Sequence, residues 1–180
     1  MNRTLAALMA GLAIAGCSKS DTVDEKDASV EQVSKAIADA GASARFTPGR
    51  WETRVDLKNV EGQGLPPGAL ESARAAISRA GVVATCLTPE QAAKPGAGFF
   101  NQDTRNCTYK RFKMADGKLD ALLTCGANGE ESAEMVGTFD PTHYQIALTN
   151  KTGIGGRSMT MTMNVDSRHA GQCRGDEKGA

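Results

Sequence analysis

From Trp51 to Val60 the chain alternates, with Trp51, Thr53, Val55 and Leu57 on one side and Glu52, Arg54, Asp56 and Lys58 on the other. A period of two over that length predicts a strand with one face buried. The alternation is most regular between Arg157 and Arg168, where Met159, Met161, Met163 and Val165 share one face and Thr160, Thr162, Asn164 and Asp166 the other. Between these runs lie five more strand-like segments: Val82 to Leu87, Cys107 to Met114, Lys118 to Gly126, Ser132 to Phe139 and His143 to Thr149. Asp140-Pro141-Thr142 and the glycine-rich Gly153 to Gly156 punctuate the last of them. Short strands joined by tight turns predict a mainly β domain, with α+β as its variant. Its expected architecture is an antiparallel meander curved into a partial or complete barrel, with two or three short helices.

The helices show in a different rhythm. After Leu65-Pro66-Pro67-Gly68, the apolar positions Leu70, Ala73, Ile77 and Ala80 recur at helical spacing and Gly81 closes them, which predicts a helix from Ala69 to Ala80 packed on the sheet. Thr88-Pro89-Glu90-Gln91 opens a helical turn or two, with Thr as cap, Pro at the first position and Gln returning the bond. Ser29-Val30-Glu31-Gln32 is a second capping box, ahead of the stripe Val30, Val33, Ile37 and Ala40 and the stop at Gly41. This first helix is expected to dock loosely. Residues 18–28 are polar and acidic, with Asp21, Asp24, Glu25 and Asp27, and predict a flexible tether. The loop through Gly98, Phe99, Phe100 and Asn101 is expected to tuck its aromatics under the sheet.

Ahead of the tether, the apolar run from Leu5 to Ala15 follows a single basic residue, Arg3, and ends in Leu12-Ala13-Ile14-Ala15-Gly16-Cys17. It is about half of the ~20 residues that cross a bilayer, and its flanks are those of a cleaved export signal. The stretch resembles a bacterial lipoprotein signal peptide with its lipobox. The resemblance implies that residues 1–16 are removed and that Cys17 carries lipid, several acyl chains of which anchor a protein firmly. Ser18, where an aspartate would resemble the inner-membrane retention signal, points to the outer membrane with the domain facing the periplasm. Residues 17–47 then form the anchor, tether and first helix, 48–173 a β domain, and 174–180 a loose charged tail.

Charge narrows the partners. The chain has 21 basic and 21 acidic residues, and loss of the signal removes only Arg3, leaving 20 against 21. No net field draws nucleic acid. Aromatic content is 4% with one Trp, so the core rests on smaller side chains and covalent staples matter more.

With Cys17 committed to lipid, Cys86, Cys107, Cys125 and Cys173 remain, an even number for an oxidising compartment, with three possible pairings. None has the Cys-x-x-Cys spacing of a redox site or zinc ribbon. Ala115-Asp116-Gly117 fits a three-residue hairpin loop. It pairs Met114 with Lys118, and counting outward sets Cys107 against Cys125, Tyr109 against Leu123 and Arg111 against Ala121. A slip of one residue would mix the faces. Cys107 is therefore expected to bond Cys125, leaving Cys86 for Cys173. In the loop-entropy picture the first bridge contributes about 3 kcal/mol and the longer one slightly over ~4 kcal/mol.

Pro48-Gly49-Arg50-Trp51-Glu52, Thr85-Cys86-Leu87-Thr88-Pro89-Glu90-Gln91-Ala92, the Cys107 and Cys125 pair, the Met-Thr-Met strand and Gly171-Gln172-Cys173 occur in that order. Together they resemble the bacterial family called Domain of Unknown Function 3617, over about Pro48 to Cys173. The resemblance implies a small exported protein, often a lipoprotein, and brings no activity, ligand or catalytic residue with it.

Catalytic chemistry finds little footing. His143 sits at a turn and His169 at a strand end, both expected as solvated surface residues, and no Gly-x-Ser-x-Gly elbow accompanies them. Gly153-Ile154-Gly155-Gly156 lacks the lysine of a phosphate loop. Glu130 and Glu131 read as solubilising charge. Met159, Met161 and Met163 are the sharper case, since alternate side chains on a strand lie within ~7 Å and thioethers suit Cu(I); core packing is the simpler use. The sequence thus predicts a non-enzymatic, membrane-anchored lipoprotein of unknown activity and without a cofactor, a non-catalytic envelope protein or a protein-binding module with Trp51 or the Pro66-Pro67 loop exposed for contact. A binding protein for a lipid or other apolar ligand is the alternative, and Cu(I) binding the third.

Overall fold

The computed structural model describes residues 22–40, 46–93, 106–126, 129–154 and 157–179. In chain order the elements are β1 (Val23–Glu25), β2 (Ala28–Ser29), α1 (Val30–Asp39), β3 (Gly49–Gly62), α2 (Ala69–Ala80), β4 (Val83–Leu87) and α3 (Pro89–Ala93). They continue with β5 (Cys107–Ala115), β6 (Lys118–Cys125), β7 (Glu131–Asp140), β8 (His143–Ile154), β9 (Arg157–His169) and β10 (Lys178–Gly179). One sheet runs β1-β5-β6-β7-β8-β9-β3-β4-β10, with β2 also on β5. Every pairing is antiparallel except β10 on β4. The sheet is open: its ends, β1 and β10, do not pair.

Cross-strand register gathers the apolar positions on one face. Leu57 pairs with Met163, Met163 with Leu148 and Leu148 with Met135. The row continues from Met135 through Ala121 to Phe112. This is the period-two pattern extended sideways, since directly opposed residues share a face. At the β5–β7 end the face is covered by α1, whose Val33 and Ile37 are 2% and 6% exposed and join a core with Tyr109, Phe112, Leu123 and Met135. The Ser29 capping box forms, with Ser29 N–H donating to Gln32 Oε1 at 2.7 Å and Gln32 N–H to Ser29 Oγ at 3.1 Å.

The segment expected as a flexible tether is, from Val23 onward, part of this core layer. Val23 is 4% exposed and pairs with Met114. A polar segment that cannot fold alone is ordered here because a neighbouring edge supplies its backbone hydrogen bonds. Likewise α1 is a buried wall rather than a loosely docked helix. Conversely, α2 spans the expected residues but buries none of them. It packs beside β3, where β4 pairs only with Gly49 to Thr53. Its Arg74 donates to the carbonyls of Leu57 and Lys58 at 3.0 and 2.7 Å, beside the bulge between Leu57 and Asn59.

The β5–β6 turn also differs from its expectation. Ala115, not Met114, pairs with Lys118, and the two-residue turn has Asp116 and Gly117 at φ 50° and 68°, the type I′ form that matches strand twist. This sets Phe112 on the core face and Arg111 on the other, the reverse of the sequence reading for Arg111. Phe112 is 3% exposed, and its burial outweighs any preference for a longer loop. Strand β8 continues through Gly153 and Ile154, which were expected as loop. Cys17, Gly41, Phe99 and Phe100 lie outside the described residues.

Candidate functional site

Both disulfides join the expected partners: Cys107 with Cys125, Cα atoms 4.1 Å apart, and Cys86 with Cys173, 5.5 Å apart. They fall at different depths, for Cys107 is 8% exposed whereas Cys173 is open to solvent.

Two surfaces carry most of the distinctive side chains. The first is the half of the apolar face on β8, β9 and β3. There Met159, Met161, Met163 and Val165 stand in one row, with Leu148 beside Met163 on β8 and Val55 beside Val165 on β3. All are half-buried, unlike their counterparts beneath α1. Thr152, opposite Met159, has a buried hydroxyl oxygen with no hydrogen-bond partner. The row continues the core face directly, so the three methionines pack as apolar side chains among Leu57, Val60 and Leu148.

Trp51 does not belong to an exposed contact. It is 4% exposed, stacks on Tyr144 at 5.8 Å, meets Phe46 edge-on at 5.3 Å, and donates Nε1–H to the Thr47 carbonyl at 2.9 Å. Pro66 and Pro67 are exposed. The histidines are half-buried rather than fully solvated. His143 Nε2 lies 3.2 Å from Asp166 and His169 Nε2 lies 3.0 Å from the Pro48 carbonyl. Gln145's amide, with His143 and Arg168, holds the Asp166 carboxyl below its ordinary value. Glu130 and Glu131 are exposed.

The second surface lies on the opposite face, at the β3–β4 edge. Arg50 pairs with Cys86 in register, and its guanidinium is closed in by acids. Nε reaches Glu52 at 3.1 Å, and Nη1 reaches Asp176 at 2.7 Å and Glu177 at 2.8 Å. Glu177 also accepts the amides of Arg174 at 2.7 Å and Gly175 at 2.8 Å. The Arg174 amide foremost, then Arg50 and lastly the Gly175 amide, lower its carboxyl to about 2. The three carboxylates push the Arg50 pKa further above its ordinary value. Gly49, at φ 134°, permits the close approach: a Cβ there would run into the Gly171 carbonyl. The tail expected to be loose is therefore docked, and β10 adds to β4. Arg50 was visible in sequence only as a motif residue. The signal that marks it is the acid pair Asp176-Glu177 just beyond Cys173, once Cys173 is placed on Cys86.

Among the described residues no group of three His, Cys, Asp or Glu side chains is arranged to hold a metal ion, and no described helix is long and apolar enough to cross a membrane. The family model described as "Protein of unknown function (DUF3617)" matches residues 46–173. The chain belongs to that family. No curated protein and no solved structure matches it. The DUF3617 match takes in β3 through β9, both disulfides, the methionine row and Arg50, while β1, β2, α1 and β10 lie outside it.

Proposed function

We propose that this DUF3617 protein is an exported, non-catalytic binding module of the cell envelope that docks a protein partner on the open half of its apolar sheet face. The observation that carries the reading is the partial exposure of Leu148, Met159, Met161, Met163 and Val165, a row that flanks the buried Leu57 and Ile146 and extends the face beyond the core that α1 covers. Apolar area left in water is stabilised by whatever removes it, and unbranched thioethers adapt to differently shaped partners. A small apolar ligand needs walls around most of its surface. An open sheet provides one wall, whereas a protein partner brings the other. The export and the anchor rest on the Leu5 to Ala15 run and on Cys17, with the outer membrane as the site and the domain facing the periplasm.

Native mass spectrometry of the protein recovered from its own envelope tests the reading, beside a Met161→Glu variant that places a charge in the row. A protein complex in the native form that is lost in the variant, with both disulfides retained, is the expected result. A discrete lipid mass would establish the apolar-ligand alternative instead, stoichiometric Cu(I) on Met159, Met161 and Met163 the metal one, and a bare monomer would overturn the proposal. Intact mass settles the anchor separately: lipid on Cys17 supports it, and an unprocessed Met1 rejects it.

A further inference from the structure

The end of the chain fills a socket on the last edge of the sheet. Strand β4 gives one edge to β3, and among the described residues its other edge pairs only with Lys178 and Gly179, in parallel register with Thr85 and Cys86. Beside that edge the Arg50 side chain is 10% exposed, and the Glu177 side chain that meets it is 2% exposed. Residues 172–176, which lead to Glu177, are themselves exposed. Of the three acids on Arg50, only Glu52 lies within the residues matched by the family; Asp176 and Glu177 lie beyond them. The socket thus lies within the matched residues, and the segment that fills it lies beyond them.

We propose that the outer edge of β4 and the Arg50 guanidinium form an acceptor site for an extended acidic segment of a protein partner, and that residues 174–179 occupy this site in the partner's absence. Strand addition supplies sequence-independent backbone bonds. Arg50 supplies the selectivity, since a planar guanidinium favours carboxylates and a buried one left short of acids is strongly disfavoured. The Cys86–Cys173 bridge keeps the root of the tail beside the site, so the tail competes at an effective concentration in the ~mM range and only a well-matched segment displaces it. This surface and the methionine row occupy opposite faces, because Arg50 and Trp51 are consecutive on β3. The two proposals stand or fall separately.

The test uses the full chain carrying D176N and E177Q, both disulfides intact, and a synthetic peptide of residues 174–180 as the probe. The peptide should bind this variant at least about tenfold more tightly than it binds the native protein, whose own tail competes. Adding R50Q should remove that gain. A peptide carrying the Asn and Gln replacements should likewise lose about tenfold or more on the unaltered variant protein, which keeps the test sound if R50Q folds poorly. Equal binding to native and variant protein, equal binding of charged and neutral peptides, or no binding at all would overturn the proposal.

Discussion

Cys107 lies directly opposite Cys125 because Lys110 is bulged out of the β5–β6 ladder between them and the turn. With Ala115 on Lys118, an unbroken ladder would set Thr108 against Cys125. The extra residue restores the pairing and keeps Tyr109 and Phe112 both on the core face, their rings 5.1 Å apart. Lys110 itself points to Asp27, 2.9 Å away.

Deleting Lys110 should therefore keep the cysteine register while disturbing the other edge of β5. On the β6 side the shortened strand forms a regular ladder in which Arg111 on Leu122 is followed by Tyr109 on Leu123, and the cysteines still meet. On the β1 and β2 side the register from Val23 on Met114 to Ser29 on Thr108 counts straight through Lys110, so β2 and the start of α1 slip by one residue and stability falls. Non-reducing peptide mapping should show the Cys107–Cys125 link intact; its loss would mean that the bulge has a further structural role.

Truncating Ile37 to Ala should cost about 2–5 kcal/mol in urea unfolding, the range for buried aliphatic side chains, because it is 6% exposed within the core cluster. A helix docked loosely outside the domain would give a change near zero.

The tail should undock in acid. Glu177 has its folded value depressed from 4.5 to about 2, so the stability it contributes is present above pH 4.5 and is lost as pH falls from there toward about 2. Protection of the β4 amide that faces β10 at Thr85 and Cys86, with the intrinsic pH dependence of exchange divided out, should fall across that window in the native protein. An E177Q variant should show no such step, and a step of equal size in it would assign the transition to another group.

Graded reduction should separate the two bridges. Cys173 is solvent-exposed while Cys107 is buried, and thiol attack requires access to a sulfur. Alkylation and mass mapping at rising dithiothreitol should label Cys86 and Cys173 first. Simultaneous labelling of all four would show that the sheet opens before the outer bridge is attacked.

What the sequence determined was whatever local periodicity and short-range chemistry can specify. The alternation along β3 and β9, the helix from Ala69 to Ala80 and both capping boxes follow from neighbours within a few residues. The sequence reading reaches the opposition of Cys107 and Cys125 through a three-residue loop and an unbroken ladder, whereas the structure reaches it through a two-residue turn and the bulge at Lys110. The tertiary structure decided what depends on distant partners. Val23 is a strand because β5 has an edge to pair with it, and α1 is a wall because Tyr109 and Phe112 lie beneath it. Trp51 is buried because Phe46 and Tyr144 close over it. The openness of the sheet and the docking of Asp176 and Glu177 on Arg50 also had no local signature. Local pattern records only which face of a segment prefers to leave water; which other segment covers it is a free-energy balance over the whole chain, and that is settled only when the strands have taken their order.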